Sequence, residues 1–408
     1  MSILVINAGS SSVKFALFAF DTLERVAAGM LDWAGEARRA TMTLKSASGE
    51  AICRELDAPS YRAGVIHALE MLGQPSVLGP ARRPIRVVGH RLIHGGEEIR
   101  EPVRIDAEMK RTIARFSHLA PLHIPPGLEA IEATEAALPA VPQVGMFDTA
   151  FFADIPPYAY LYPVPYAWYE DWGIRRFGFH GTSHAYCTDR AAELLGRDKV
   201  GLRQVICHLG QGSSATAVRD GVAVTNTMGF TPLEGFMMGT RSGTVDPGIL
   251  LYVQREKGLS VAQLDDILHN QSGLLGISGL SSDFRQVEAA AMEGHQRARL
   301  ALDVYAYRVR TMIGALVVTL GGLDVLVFTG GIGENSAWLR AEACRGLECL
   351  GVRLDERLNA SLRPDDDVAA ADSPVRVLIV HTREDLMIAR AARRLAPVTD
   401  PGRQAMIV

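Results

Sequence analysis

Arginines, carboxylates, histidines and glycine-rich turns gather in a few short segments of this sequence, and their types fit the transfer of a phosphoryl group. Arg91 lies in GHRLIHGGE and Arg241 in GTRSGT, where flanking glycines permit close packing. A planar guanidinium suits the equatorial oxygens of a transferring phosphoryl group and also pairs bidentately with a carboxylate. Asp148 follows an apolar run in MFDTAF, and Glu384 opens a helical pattern after VLIVHTRED. Carboxylate oxygens so placed suit Mg²⁺, a hard ion that keeps several waters. Taken singly, each would pass for a helix cap or a solvated charge. Glycine-rich turns follow apolar runs around Gly9, at Gly210-Gln211-Gly212 and in TGGIGEN at 329–335. Such turns bring backbone N–H groups close to a ligand, and their repetition at strand ends favours a nucleotide over unrelated turns.

Histidines fall in the same segments: His90, His94, His118, His123, His180, His184 and His208. A zinc hydrolase fits them poorly, because neither an H-E-x-x-H nor a cysteine pair accompanies them. His180, in FGFHGTSH, has a turn context from which it could donate to a phosphoryl group. His90, His118 and His184 read as hydrogen-bonded structural histidines. The glycine-dense, weakly charged stretch 227–248 would make a poor helix and a poor exposed loop, and reads as a buried loop lining a pocket.

These residues need a frame. Residues 3–18 (ILVINAGSSSVKFALF) and 204–218 (QVICHLGQGSSATAV) share one grammar of strand, small-residue turn and strand, which predicts a duplicated domain with a phosphate-facing hairpin in each half. Further strands are expected at 85–88, 143–147, 324–329 and 375–380, with Arg91 just past the first of these. Helices are expected at 60–72, from Pro125 and Pro126 through Ala137, at 296–320 and at 384–396. Alternation of the two implies an α/β fold, and 408 residues suit two domains. The net charge of −4 leaves no basic excess for a nucleic-acid partner. The chain enters a strand pattern at Ile3 with no secretory pattern ahead of it. Its most apolar stretch, Met312 to Ile332, is interrupted by Gly321, Gly322 and Asp324, so it reads as a buried helix and a strand rather than a membrane span. Five cysteines without a C-x-x-C pair suit reduced thiols in a cytoplasmic protein. The residues after about Pro397 read as a loose tail.

At INAGSSSVK, GHRLIHGGE, MFDTAF, RRFGFHGTSH, TMGFTPLEGFMMGTRSG, SSDFR, FTGGIGEN and EDLMIAR the sequence resembles the acetate kinase family, within the sugar kinase, heat-shock chaperone ATPase and actin superfamily. The resemblance spans roughly residues 1–395. It implies two duplicated ribonuclease-H-like domains with ATP in the cleft, one of residues 1–149 plus 385–408 and the other, nucleotide-binding, of 150–384. It also implies a homodimer, Mg²⁺ or Mn²⁺ as cofactor, ATP as co-substrate and reversible in-line transfer to acetate, giving acetyl phosphate and ADP. Asn7 and Glu384 would serve the metal, with Asp148 beside them and close to the acceptor. Ser10, Ser12 and Lys14 would lie at the phosphoryl end of the first hairpin. Arg91 and Arg241 would hold the carboxylate and the moving group, and His180 would stabilise the planar transition state. His208, Gly210, Gln211, Gly212 and Gly331 would line the phosphates, and Asp283, Phe284, Arg285, Ile332 and Asn335 the adenosine. Ile93, Leu122, Phe179 and Pro232 would form the acyl pocket.

The family usually has Asn where Gln211 stands, Asp for Thr244, Asn for Ile124, His for Phe152, and, in acetate-preferring members, Val for Ile93. The methylene added at Ile93 should narrow the pocket and favour acetate over propionate. A propionate or butyrate kinase is the alternative within the family. An actin-like or chaperone-like ATPase is the alternative from another class, and it has no use for paired Arg91 and Arg241.

Overall fold

A computed structural model describes residues 1–9, 12–33, 39–46, 49, 51–74, 84–121, 123–361 and 365–397. The chain forms two compact units, Met1–Ala150 with Arg383–Val408, and Phe151–Thr382. Glu384 therefore belongs to the first unit, not to the second as the 150–384 boundary implied.

The first unit is built on an eight-stranded sheet. Its strands are β1 (Ser2–Ala8), β2 (Ser12–Ala19), β3 (Arg25–Asp32), β4 (Arg39–Ser46), β5 (Ala51–Asp57), β6 (Ile85–Leu92), β7 (Val103–Ile105) and β8 (Gln143–Phe147). The order is β5-β4-β3-β2-β1-β6-β8-β7. The first five form an antiparallel meander, while β6 runs parallel to β1 and β8 parallel to β6. Strand alternation sends Leu4, Ile6 and Val88 into a core shared with helices Tyr61–Leu72 and Ile124–Ala137. On the opposite face lies helix Glu384–Leu395, which contacts β1, β6 and β8. Gly89 allows that approach, since a Cβ there would stand 2.6 Å from Ile388. The strand expected at 85–88 runs on to Leu92, so Arg91 lies on the strand rather than past it. Its burial pattern is nearly continuous, as a strand covered on both faces requires.

The second unit repeats the plan with β9 (Arg203–Leu209), β10 (Ser213–Arg219), β11 (Val222–Asn226), β12 (Val325–Thr329), β13 (Asp366–Asp367) and β14 (Arg376–Ile379). The order is β11-β10-β9-β12-β14-β13. Antiparallel β9, β10 and β11 are again followed by parallel β12 and β14. Both sheets thus contain the arrangement 3-2-1-4-5, and the duplication read from the two hairpins is present in the topology. Helix Gln296–Leu320 buries Leu302, Tyr305, Val309, Ile313 and Leu316 against this sheet and ends at Gly321 in the left-handed conformation. No helix among the described residues is long and apolar enough to cross a membrane. All five cysteines are free thiols, with Cys187, Cys207 and Cys344 buried.

Candidate active site

In the first unit the functional side chains meet at the carboxyl ends of parallel strands, the usual position for ligands of open α/β sheets. Asn7 and Arg91 are register partners on β1 and β6, and Arg91 in turn faces Met146 on β8. Asp148 follows β8 directly and is fully buried. Arg91 donates from Nε and Nη2 to the Asp148 carboxylate at 3.1 and 2.5 Å, and from Nη1 to Asn7 Oδ1 at 3.2 Å. Glu384 Oε2 lies 4.0 Å from Arg91 Nε. Burial alone would depress the Arg91 pKa, but Asp148 and Glu384 outweigh it and raise the guanidinium above its ordinary value. Lys14 is exposed on β2 opposite Asn7. Ser12 opens β2, and Ser10 lies outside the described residues.

Asn7, Asp148 and Glu384 form an all-oxygen donor set. Among the described residues no group of three or more His, Cys, Asp or Glu could hold a metal ion by itself. The oxygen donors of these side chains suit Mg²⁺, which binds through one or two carboxylates together with phosphate oxygens and water.

In the second unit, His180 occupies the left-handed region (φ 59°, ψ 25°) immediately before helix Gly181–Leu194. A non-glycine residue held there costs on the order of 1 kcal/mol, which the surrounding contacts must offset. Its Nδ1 lies 2.8 Å from Ser214 Oγ, and His184 Nε2 lies 2.8 Å from the same oxygen. The His180 ring stacks on His208 with centroids 4.5 Å apart. His208 Nδ1 is 2.8 Å from Ser183 Oγ, which also bonds Thr382. The supports are crossed: Ser183 sits on the helix that His180 opens, and Ser214 is the register partner of His208.

Three loops come together around these rings. A Cβ on Gly212 would stand 3.0 Å from His180 Nε2 and 3.6 Å from Arg241 Nη2. One on Gly210 would stand 3.9 Å from both His208 Nε2 and the Gly331 backbone nitrogen. Arg241 Nη1 donates to Pro232 O at 3.0 Å, and among the described residues no carboxylate pairs with it. Burial lowers its pKa, so the site holds a desolvated cation whose natural partner is an anion. Loop 227–246 has no helix or strand and buries Met228, Phe236, Met237 and Met238, as its glycine-rich sequence foretold.

Beside this cluster opens a cavity of about 490 Å³, lined by Gly210, Gln211, Asp283, Phe284, Arg285, Gly331, Ile332 and Asn335. Ser282, Glu288 and Ser336 also line it and escaped the sequence reading. Asp283 caps helix Phe284–Met292 and pairs with Arg285 at 2.7 Å, while Asn335 Nδ2 donates to Gly331 O at 2.8 Å.

The acyl-pocket residues are distributed. Ile93 is in the first unit, Phe179 and Pro232 are in the second, and Leu122 lies outside the described residues. The departures have local explanations. Ile124 joins an apolar core with Leu92, Phe116 and Phe147. Phe152 packs edge-on to His184. Thr244 Oγ1 accepts from Gly235 N at 3.0 Å, tying the ends of the loop before Arg241. The three histidines read as structural are each hydrogen-bonded, His90 to Gln143, His118 to Arg115 O and His184 to Ser214.

Two duplicated α/β units with glycine-rich loops at their strand ends define the class of the protein as a duplicated mixed α/β protein. Comparison with known proteins makes this specific. The sequence model of the Acetokinase family matches residues 2–390, and the chain belongs to that family of kinases. It is 47% identical over 398 residues to the acetate kinase of a Cyanothece species, covering 96% of this chain and 97% of that one. The crystal structure of Porphyromonas gingivalis acetate kinase superposes with a TM-score of 0.92 at 39% identity, covering 97% and 100% of the two chains. That of a propionate kinase from Francisella tularensis gives 0.89 at 36% identity, covering 97% and 99%.

Proposed function

We propose that this kinase transfers the γ-phosphoryl group of ATP reversibly to acetate, giving acetyl phosphate and ADP. The observation that carries the reading is Arg241: a half-buried guanidinium, without a carboxylate partner among the described residues, beside His180 Nε2 and the Gly212 backbone and next to a cavity large enough for a nucleoside. The acceptor carboxylate is already a nucleophile and needs no general base. Catalysis is then positioning and charge stabilisation, which suits direct in-line transfer. Arg91 and Arg241 orient the carboxylate and stabilise the equatorial oxygens. His180 Nε2 donates to the planar phosphoryl group. Backbone N–H groups at 210–212 and Gly331, with His208, hold the remaining phosphates, and the cavity at Asp283, Phe284, Arg285, Ile332 and Asn335 takes the adenosine. Membership in the family supports Ile93, Phe179 and Pro232 as the residues that would meet the methyl group. Asn7 and Glu384, supported by Asp148, would hold Mg²⁺ or Mn²⁺, which when bound neutralises phosphate charge.

Membership in the family supports a homodimer in the cytoplasm. Leu300, Tyr307 and Val318, exposed on helix Gln296–Leu320, are candidates for the subunit contact. The similarity to a propionate kinase keeps that acid as a second acceptor. Hydroxylamine trapping of acyl phosphate from ATP and formate, acetate, propionate or butyrate tests the proposal. Acetyl hydroxamate with matching ADP is the expected product, whereas ATP turnover indifferent to added carboxylate would point to an ATPase instead.

A further inference from the structure

We propose that Ser214 and His184 are positioning residues that hold His180 in the tautomer with its proton on Nε2. Ser214 Oγ lies 2.8 Å from His180 Nδ1 and 2.8 Å from His184 Nε2. A hydroxyl carries one proton, so it can donate to only one of these nitrogens, and the other must be an N–H that donates to it. If both imidazoles donated, the hydroxyl proton would need a third partner, and Ser214 Oγ has none among the described residues.

His184 decides between the two remaining chains. It is fully buried, and its Nδ1 has no hydrogen-bond partner among the described residues. Phe152 sets its ring edge against the imidazole and offers no polar atom. A proton on His184 Nδ1 would be a buried orphan N–H, which folded proteins avoid more strictly than an unused lone pair. Burial first, and then His208, also hold His184 in its neutral form. Its proton is therefore on Nε2 and is donated to Ser214. Ser214 donates onward to His180 Nδ1, which leaves the His180 proton on Nε2.

That nitrogen is the one 3.0 Å from where a Gly212 Cβ would stand, with Arg241 Nη2 3.6 Å from the same point. The His208 ring stacks on the face of the same imidazole. A donor there attracts an anionic phosphoryl oxygen, whereas the opposite tautomer would present it with a lone pair. β10 supplies the relay through its alternation. Ser213 turns to the core, where it bonds Tyr305, and Ser214 turns to the histidines. The catalytic purpose of the relay rests on the phosphoryl-transfer reading; the tautomer itself does not.

Nitrogen-15 NMR of the full-length, histidine-labelled protein without substrates tests the tautomer directly, with His180 assigned by His180→Gln. The expected result is a protonated Nε2 and a bare, hydrogen-bonded Nδ1 on His180. Ser214→Ala should move those signals toward tautomer averaging and lower kcat roughly 10²-fold, with KM for ATP nearly unchanged. His184→Gln keeps an N–H for Ser214 and should restore most of the rate that His184→Leu loses. A His180 protonated on Nδ1 in the unaltered protein overturns the inference, even if the variants fail to fold. The predicted tautomer without any acyl phosphate production would overturn the kinase reading and leave the relay standing.

Discussion

Arg91 meets Asp148 along two edges, with Nε at 3.1 Å and Nη2 at 2.5 Å from the same carboxylate oxygen, while its remaining nitrogen reaches Asn7. The pair is structural, because Asp148 is buried and Arg91 is its counter-charge, and the proposed mechanism gives Arg91 a second role at the acceptor. Arg91→Ala removes one partner of a buried ion pair, which typically costs about 3–5 kcal/mol. Acyl phosphate formation should fall roughly 10²–10³-fold as well. Arg91→Lys separates the two effects, since it keeps the charge but loses the fork. Urea unfolding should be nearly normal in the lysine variant and the hydroxamate assay still strongly impaired. Normal turnover would remove Arg91 from the site.

Gly212 has no room for a side chain on its catalytic side. Gly212→Ala would place a methyl 3.0 Å from His180 Nε2 and within reach of Arg241. We expect an intact fold by circular dichroism and a kcat reduced about 10²-fold or more, because in the proposed mechanism the methyl would occupy the space of the phosphoryl group.

Acid should destabilise the protein before it titrates carboxylates. Burial lowers the His90 pKa to about 4, with its Gln143 hydrogen bond opposing in part, and burial lowers His94 to about 3. Their unfolded values lie near 6.5. Between pH 6.5 and about 4 the unfolded chain therefore binds protons that the folded chain refuses. Stability is at its full value above pH 6.5 and declines as the pH falls through that window, by up to about 1.4 kcal/mol per pH unit for each histidine. Urea midpoints at pH 7.5, 6 and 5 should fall in that order, and replacing His90 by Gln should flatten the decline.

Ile93 should set acyl selectivity. Ile93→Val removes one methylene, worth about 1–3 kcal/mol of discrimination in an apolar pocket. The ratio of kcat/KM for propionate over acetate should rise severalfold. An unchanged ratio would place the selectivity elsewhere.

Much of the frame could be read from residue order. The two hairpins and the long helix 296–320 each carry a periodicity or a glycine signal strong enough to locate them, whereas TGGIGEN, which reads as a glycine-rich turn, forms the short helix Gly330–Asn335. Arg91 was set one element late because GHRL follows IRVV with a glycine and a histidine, residues that usually close a strand. Here Gly89 admits the helix at 384–395 and His90 hydrogen-bonds Gln143 Oε1, so the strand continues. Ser214 and Ser183 were passed over because serines in glycine-rich turns are common. What distinguishes them is which face they occupy opposite His208 and beside His180, a pairing that sequence spacing does not encode. The acid pair Asp283 and Glu288 shows the reverse case: only the first had a recognisable motif, yet both line the same cavity.

The helix Glu384–Leu395 completes the sheet of the first unit although all of Phe151–Thr382 precedes it in the chain. On a translating ribosome, β1, β6 and β8 are made early and wait for this helix to cover their second face. The second unit has its whole complement of strands by then. Synthesis thus places the whole second unit ahead of this helix, and Glu384 reaches the Arg91 cluster only after Phe151–Thr382 has been made. A nascent chain stalled before residue 384 is without this carboxylate.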